Sequence, residues 1–412
     1  MSRSKQIKNV WTGILVAVIA MASVTANAGS INWGAATKIS GDSDVSTSGG
    51  LVYGLKAAGG SISEVNSTYF GFGLGSPYVS LSGIVNVSTM GTASDPVLSA
   101  DYQAVVGSAA YGSVTTATVT LNGLTVGHDY QVQAWINDSR NYGDGRNGDI
   151  SSTGGNTVNL DYNSTDGTGG NGQYSIGTFT ADAATQAITL ASSAPQLNAI
   201  QLRDLSATLP IEWSTVATVS GASDVSTDGD LAYAYTFGTA NTVNTVPFVK
   251  ASSTTDFDGS GNITASGWQA IAPAGTGGSG GMTGPYSDII NNFLYRDGTA
   301  ATATLNNLTA GNTYQVQIWA QSNNSSRYQW VSGGDGAGAV ALQFDMGADN
   351  GQYAIGSFVA SSASETLRIW GNQSGQINAI QVRDLGVIPE PSTAILAGLG
   401  LAGLTLRRRR SA

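Results

Sequence analysis

Apolar and polar residues alternate along many short stretches of this 412-residue chain. The runs VTTATVTL from Val114, TYQVQIW from Thr313 and LNAIQL from Leu197 place alternate side chains on opposite faces, which is the period of a β-strand. Clusters of Gly, Asn, Asp and Ser between such runs are typical of turns. Outside the two termini, no long stretch has a helical period. The pattern predicts an all-β fold of antiparallel, jelly-roll-like β-sandwiches.

The sequence contains an internal duplication. INWGAATKISGDSDVSTSGG at Ile31 returns as IEWSTVATVSGASDVSTDGD at Ile211, and QLNAIQLRDL at Gln196 returns as QINAIQVRDL at Gln376. A repeat of this length is too long for a solenoid unit and long enough to fold as a domain. We therefore predict two tandem β-sandwich domains at residues 31–205 and 211–385, called repeat 1 and repeat 2 below.

The amino terminus has the three-part pattern of a secretory signal peptide. Basic residues precede an apolar run, and the small residues Ala26 and Ala28 form an A-x-A cleavage site. We predict a signal peptide at residues 1–28, cut after Ala28, and hence an exported protein.

The carboxyl terminus, residues 388–412, combines a proline-rich motif, an uncharged segment and a run of arginines. Its elements are Pro389, Glu390 and Pro391, then residues 393–406, then Arg407, Arg408, Arg409 and Arg410. A helix over residues 393–406 spans about 21 Å at 1.5 Å per residue, which is short of a hydrocarbon core of about 30 Å. Such a helix suits a transient stop in the inner membrane, with the arginines on the cytoplasmic side.

This tail resembles the PEP-CTERM sorting signal in the order, spacing and position of its parts. The resemblance implies processing by exosortase, a transpeptidase-like membrane enzyme of Gram-negative bacteria that make extracellular polysaccharide. It implies a route through the inner membrane to the cell surface or matrix. A plain single-pass anchor is the alternative, in which the tail is retained.

Composition narrows the class of partner. Asp and Glu outnumber Lys and Arg by 27 to 17, giving a formal net charge of -10, and no basic stripe occurs outside the termini. This balance excludes nucleic acid as the predicted partner. The sequence has no cysteine, so disulfides and thiolate sites are impossible; an exported chain without them is typical of a bacterial surface protein.

The search for catalytic groups finds none that form a set. His128 is the one histidine of the sequence and is replaced by Asn312 in repeat 2, so it is interpreted as a turn residue. Asp44 lies in a polar turn, and Asp204 follows Arg203, which suggests a local salt bridge. None of these carboxylates has an evident acid–base partner. We predict no enzymatic activity.

The aromatic end of the YQVQ-W strand suggests a glycan site. If Tyr130 faces the core, alternation puts Trp135 on the outer face, where an indole flanked by amides and arginine suits a sugar ring. The alternative is that a loop covers the tryptophan. The candidate ligand-binding residues are Trp135, Asp138, Arg140, Trp319, Asn324 and Arg327. Trp268, Trp330 and Trp370 occur in repeat 2 alone, which gives that copy more aromatic surface.

The segment DFDGSGN places oxygen-bearing side chains at alternate positions. Asp256, Asp258, Ser260 and Asn262 have the spacing that calcium favours, but the twelfth-position glutamate of an EF-hand is missing. The alternatives are a calcium site and an ordinary polar loop.

Within repeat 1, the closing strand and the YQVQ-W strand resemble those of galactose-binding-like sandwiches. Together with the tail, this predicts a noncatalytic surface or matrix protein that binds glycan or exopolysaccharide, or that is structural or adhesive. A secreted polysaccharide-processing enzyme is the alternative from another class.

Overall fold

A computed structural model describes residues 29–74, 78–92, 97–140, 145–164, 169–206, 211–214, 216–274, 282–298, 300–324, 326–334, 338–346 and 350–387. The predicted signal peptide with Ala26 and Ala28, the Pro389–Glu390–Pro391 motif and the arginine run lie outside these residues. Among the described residues, no helix is long and apolar enough to cross a membrane.

Repeat 1 comprises sixteen strands and one α-helix among the described residues. They are β1 (Asn32–Trp33), β2 (Thr37–Lys38), β3 (Gly50–Lys56), β4 (Ser63–Val65), β5 (Thr68–Phe72), β6 (Val79–Ser82), β7 (Asn86–Thr89), α1 (Ala100–Val106), β8 (Ser108–Tyr111), β9 (Thr116–Asn122), β10 (Asp129–Ile136), β11 (Asn147–Ser151), β12 (Val158–Asp161), β13 (Gln173–Thr180), β14 (Thr185–Ala191), β15 (Gln196–Leu197) and β16 (Ala199–Asp204).

Repeat 2 has the same succession of elements. They are β17 (Glu212–Trp213), β18 (Ala217–Thr218), β19 (Asp230–Thr236), β20 (Asn241–Val243), β21 (Val246–Lys250), β22 (Ile263–Ser266), β23 (Ala270–Pro273), α2 (Pro285–Ile290), β24 (Asn292–Asp297), β25 (Ala301–Leu305), β26 (Thr313–Ala320), β27 (Tyr328–Gly333), β28 (Val340–Gln343), β29 (Gln352–Val359), β30 (Glu365–Gly371), β31 (Ser374–Ile377) and β32 (Ala379–Gly386).

Most strands of each repeat form two facing sheets, so the predicted β-sandwich class is confirmed. Three further strands form a small third sheet, β15-β8-β7 in repeat 1 and β23-β24-β31 in repeat 2. In repeat 1 the larger sheet has the order β1-β13-β10-β16-β3-β5-β4, and the smaller has the order β12-β11-β14-β9-β6. Repeat 2 has the equivalent sheets β17-β29-β26-β32-β19-β21-β20 and β22-β25-β30-β27-β28. Pairing is mostly antiparallel, but β3 with β5 and β19 with β21 are parallel.

The main core lies between the two sheets, as alternation along β10 predicts. Tyr130, Val132 and Ala134 are all buried in it. The opposite face of β10 is also buried, because α1 packs against that side of the larger sheet and forms a second apolar cluster. This helix starts at Ser99, whose hydroxyl accepts a hydrogen bond from the Tyr102 amide, the usual serine N-cap. Each sandwich therefore has apolar packing on both faces of its larger sheet.

The two repeats pack against each other through unlike surfaces. The smaller sheet of repeat 2 presents Tyr328, Trp330 and Trp370, which join the core cluster of repeat 1. Phe72 and Tyr328 have ring centroids 5.0 Å apart, and the Tyr328 hydroxyl donates to the Phe72 carbonyl at 3.2 Å. Tyr78 lies 5.2 Å from Trp370. Aromatic pairs at these separations stabilise an interface beyond the area that they bury.

Polar contacts fix the register of this junction. The Ala339 amide donates to the Leu51 carbonyl at 2.9 Å, and the Ile62 amide donates to Gln343 Oε1 at 3.2 Å. The guanidinium of Arg368 lies over the Tyr78 ring at 5.5 Å. Trp330 and Trp370 are buried at this junction. The sequence suggested both as aromatic surface for a ligand in repeat 2, and that suggestion is wrong.

Candidate functional site

The predicted sugar-stacking tryptophans are structural, so that prediction is wrong. Trp135 is 0% exposed, and its Nε1 donates to the Tyr102 hydroxyl at 2.8 Å beneath α1. Trp319 is equally buried, and its Nε1 donates to Tyr286 on α2 at 3.0 Å. Alternation put both indoles on the outer face of the sheet, but a short helix covers that face in each repeat.

The same covered face explains why the SDVST turn occurs in both repeats. Asp44 accepts hydrogen bonds from the Ser40 and Gly41 amides and from the Tyr102 hydroxyl. Burial first, and then the nearby Asp44 carboxylate, raise the pKa of Tyr102 well above its ordinary value. Asp224 has the corresponding bonds in repeat 2, including 2.9 Å from Tyr286. This turn ties α1 and α2 to their sheets, a structural task.

His128 is part of another structural tie. Its Nδ1 lies 2.7 Å from Asp204 Oδ2, and in repeat 2 the amide of Asn312 contacts Asp384 instead. An asparagine filling the same place supports a positioning role for the pair. The expected Arg203–Asp204 salt bridge is wrong, because Arg203 points to the carbonyls of residues 47–49.

The remaining candidates of repeat 1 form an arginine-lined cleft. Asp138 is fully buried, so it is not itself accessible to a ligand, and it accepts from Arg140 Nε at 2.8 Å and Arg146 Nη1 at 3.0 Å. The two arginines stay 37% and 26% exposed. Because a buried carboxylate requires a partner, Asp138 holds both guanidinium groups in place at the surface.

The arginine cleft has a volume of about 290 Å³, near the lower end of the range of small-ligand sites, which begins at about 300 Å³. It is lined by Ser88, Met90, Tyr111, Arg140, Arg146, Ala194 and Gln196. A second depression of about 420 Å³ shares Arg146 and adds the side chains of Asn147, Asp149 and Asn159. The sequence analysis missed Arg146 because eight positions separate it from Asp138 and no local pattern joins them.

Repeat 2 does not reproduce this cluster. Strand register places Ser322 where repeat 1 has Asp138, since the Asp138 amide donates to Tyr162 and the Ser322 amide to Phe344 in the same way. Arg327 reaches Ser374 Oγ at 3.4 Å, and Asn324 Oδ1 accepts from the Ser326 amide within its own turn. The predicted binding residues of repeat 2 therefore do not surround a shared carboxylate.

The DFDGSGN loop uses its oxygen atoms within the loop. Asp256 accepts from the Gly259 and Gly261 amides, and Asp258 accepts from Ser260 and from the Tyr235 hydroxyl. Burial opposes ionisation of Asp258, but the bonds from Ser260 and Tyr235 outweigh it and lower its pKa. The described residues contain no group of three or more His, Cys, Asp or Glu that could hold a metal. Of the two alternatives, these contacts favour the polar loop over the calcium site.

Comparison with protein families decides the interpretation of the tail. The family model described as "PEP-CTERM protein-sorting motif" matches residues 387–410. The chain carries a PEP-CTERM sorting motif. The predicted recognition is thereby confirmed, and the motif implies an exported, membrane-transiting, surface-directed protein.

None of the curated proteins matches this sequence. Solved structures with a similar arrangement include the ANX2 ectodomain from Arabidopsis thaliana, at 8% identity and a TM-score of 0.27, covering 81% of this chain and 96% of that one. The CBM32-1 and CBM32-2 domains of Clostridium perfringens ZmpB, in complex with GalNAc, match at 9% identity and a TM-score of 0.22, covering 73% and 90%. Tandem CBM51 modules of Sp3GH98 from Streptococcus pneumoniae match at 10% identity and a TM-score of 0.18, covering 74% and 93%.

Proposed function

We propose that this exported protein is a noncatalytic component of the cell surface or extracellular matrix that binds polysaccharide through the arginine cleft of repeat 1. Its PEP-CTERM motif supports delivery outside the cell and processing by an exosortase of a Gram-negative-type bacterium. The binding role rests on one observation, the pair of partly exposed guanidinium groups that Asp138 holds.

The charge of this cleft contrasts with the formal net charge of the whole chain. Two arginines against one buried carboxylate leave a local positive excess in a protein whose formal net charge is -10. Guanidinium groups bind carboxylates in pairs of charge-assisted hydrogen bonds and also donate to sugar hydroxyls. A polysaccharide that carries uronic acids is therefore the ligand class that the cleft favours.

A binding measurement with a matched variant tests this role. We expect the protein purified from its producing cells to bind acidic polysaccharide, and Arg140→Gln to weaken binding about tenfold, the effect of losing one charge-assisted bond. Arg327→Gln, the control in repeat 2, is expected to leave the affinity unchanged. Arg140→Gln keeps Arg146 on Asp138 but removes two hydrogen bonds from this buried carboxylate, so the thermal midpoint of each variant is measured beside its affinity.

Two results would overturn the proposal. Equal affinity of the wild type and Arg140→Gln would remove the cleft from the binding site. Reducing ends that accumulate with time during incubation would favour the alternative, a polysaccharide-processing enzyme, because a noncatalytic protein releases no product.

Intact mass of the mature protein tests the delivery route. We expect an amino terminus at Gly29 and a carboxyl terminus within residues 389–392. A mass that includes Arg407–Arg410 would instead indicate a retained single-pass anchor.

A further inference from the structure

The two repeats enclose a cleft of about 390 Å³ where they meet, called the junction cleft here. Its lining comes from both copies: Gly49, Gly50, Leu51, Glu64, Ser67, Tyr69 and Arg203 from repeat 1, and Ile211, Glu212, Trp213, Ser214, Gly338, Ala339 and Val340 from repeat 2. The volume lies in the range of small-ligand sites. Neither repeat alone supplies this surface.

Trp213 is partly exposed in this cleft, whereas its counterpart Trp33 is only 3% exposed. Both indoles pack closely against a glycine: a Cβ on Gly356 or Gly177 would lie 2.8 Å from the nearest ring atom. One face of each ring therefore packs on its own sheet. The copies differ in how much of the rest of the ring is exposed.

An asparagine side chain pairs with the backbone of Trp33 in repeat 1. Asn156 accepts from the Trp33 amide at 2.7 Å and donates to the Trp33 carbonyl at 2.8 Å. The register of Val158 and Val340 in their hairpins puts Gly338 at the position of Asn156. Gly338 has no side chain to make these bonds, and Trp213, unlike Trp33, is partly exposed in the cleft.

Tyr69 is the second aromatic side chain of the cleft, and it too is specific to this place. It is partly exposed and packs against the cores of both repeats. Burial raises its pKa, the nearby Glu64 raises it further, and a backbone hydrogen bond from Val216 opposes them. Strand β5 pairs in parallel with β3, and β21 pairs in the same way with β19; these registers align Tyr69 with Pro247. The equivalent surface of repeat 2 therefore lacks this aromatic ring.

Charges in the junction cleft differ from those of the arginine cleft. Glu64 and Glu212 are exposed carboxylates. Arg203 is buried, and its guanidinium donates to the carbonyls of residues 47–49 and to Thr68 Oγ1. The carboxylates can accept hydrogen bonds from hydroxyl groups but repel an anionic chain.

We propose that the junction cleft is a second glycan site, which holds a short stretch of an uncharged sugar chain against Trp213 and Tyr69. Apolar faces of the sugar rings pack on the two aromatic side chains, and ring hydroxyls donate to Glu64 and Glu212. This inference rests on the proposed glycan-binding function. It adds that the molecule selects two kinds of sugar, acidic at repeat 1 and neutral at the junction.

Titration of the purified protein with neutral and acidic oligosaccharides tests this assignment. We expect neutral sugars to change the tryptophan fluorescence, and Trp213→Phe to remove that change, while Trp33→Phe retains it. Both substitutions keep an aromatic ring on its glycine, so folding is preserved. Glu64→Gln, on an exposed side chain, should weaken neutral binding by threefold or more, and Arg140→Gln should leave it unchanged.

The outcomes separate this inference from the proposed function. The junction site is overturned if Trp213→Phe and Glu64→Gln leave the binding of neutral sugars unaltered, or if Arg140→Gln abolishes it. Either result leaves the proposed glycan-binding function intact. Absence of binding to every glycan overturns both. The charge selection proposed for each cleft is overturned if the Arg140→Gln variant binds acidic sugars at Trp213 with the affinity of the wild type.

Discussion

Repeats 1 and 2 are most alike in the packing beneath their short helices and most different on the outer faces of their smaller sheets. Both have the Trp–Tyr–Asp chain under the short helix, through Trp135 and Tyr102 in one copy and Trp319 and Tyr286 in the other. The outer faces of their smaller sheets differ. Residues shared between the copies of this protein therefore identify the scaffold, and those that differ identify the candidate sites.

The outer face of the smaller sheet gives the clearest contrast. Strand register aligns Asn147 with Tyr328, Asp149 with Trp330 and Ala191 with Trp370. The polar set of repeat 1 lines an open depression, and the aromatic set of repeat 2 is buried on repeat 1. A head-to-tail contact between similar domains can propagate into a filament. Here the polar face of repeat 1 cannot repeat the contact.

The strongest challenge to this contrast is removal of an aromatic anchor. We expect Trp370→Ala to lower the free energy of unfolding by about 3–5 kcal/mol, the usual cost of deleting a buried tryptophan, and to separate the unfolding of the repeats into two transitions. Urea denaturation followed by circular dichroism measures both effects. Ala191→Ser at the aligned position should change stability by less than about 0.5 kcal/mol. Single-transition unfolding with wild-type stability would contradict the packing of the repeats.

The second contrast is a buried lysine that repeat 2 lacks. Lys56 is 1% exposed, its Nζ donates to Ser63 Oγ at 2.7 Å, and strand register aligns it with Thr236. Burial lowers the pKa of Lys56 from 10.5 to about 8, and Asp101 opposes this shift. Below pH 8 the amine is charged in both states, so the folded state carries the full desolvation cost.

Between pH 8 and pH 10.5 the unfolded chain binds the extra proton, so stability must rise with pH. The shift corresponds to a gain of about 3 kcal/mol across that window. We expect the thermal midpoint to rise from pH 7.5 to pH 9.5, before the tyrosines of the unfolded chain titrate. Lys56→Met should be more stable than wild type at pH 7.5 and lose this dependence. An identical pH profile for both proteins would show that Lys56 does not titrate in this range.

The sequence predicts the scaffold better than the sites, for a physical reason. Alternation reports which face of a strand a residue occupies, and it correctly places Tyr130 in the core. It does not report what covers the other face, which is why Trp135 was assigned to solvent. The covering helix, Ala100–Val106, is too short to give a helical period that stands out.

The candidate sites depend on contacts between distant segments, which local patterns cannot reveal. Arg146 bonds to Asp138 across a loop, and Trp213 and Tyr69 line the same cleft only because the repeats pack together. Trp330 and Trp370, which occur in repeat 2 alone, do indicate a special surface, but that surface is the interface with repeat 1. The sorting motif is the opposite case, because a processing enzyme recognises a contiguous stretch of chain.

A smaller effect is expected at the close approach between Gly71 and Tyr328. A Cβ on Gly71 would overlap the Tyr328 ring, which is buried and held by its bond to Phe72. We expect Gly71→Ala to cost about 1–3 kcal/mol through overpacking. The aligned residue Val249 is 49% exposed, so Val249→Ala should be nearly neutral. Comparable losses for the two variants in urea denaturation would mean that the repeats use these surfaces alike.

The smallest expected effect concerns calcium and the DFDGSGN loop, which repeat 1 lacks. Because Asp256 and Asp258 already accept hydrogen bonds from loop amides and Tyr235, the loop has a folded shape without a cation. We expect equal thermal midpoints in calcium and in chelator. A ligand that binds only the folded state at 100 times its Kd adds about 2.7 kcal/mol, so a real site would be visible. A thermal midpoint that is higher in calcium than in chelator, with the difference abolished by Asp256→Asn, would make repeat 2 a calcium-binding domain. The two copies would then differ in cofactor as well as in surface.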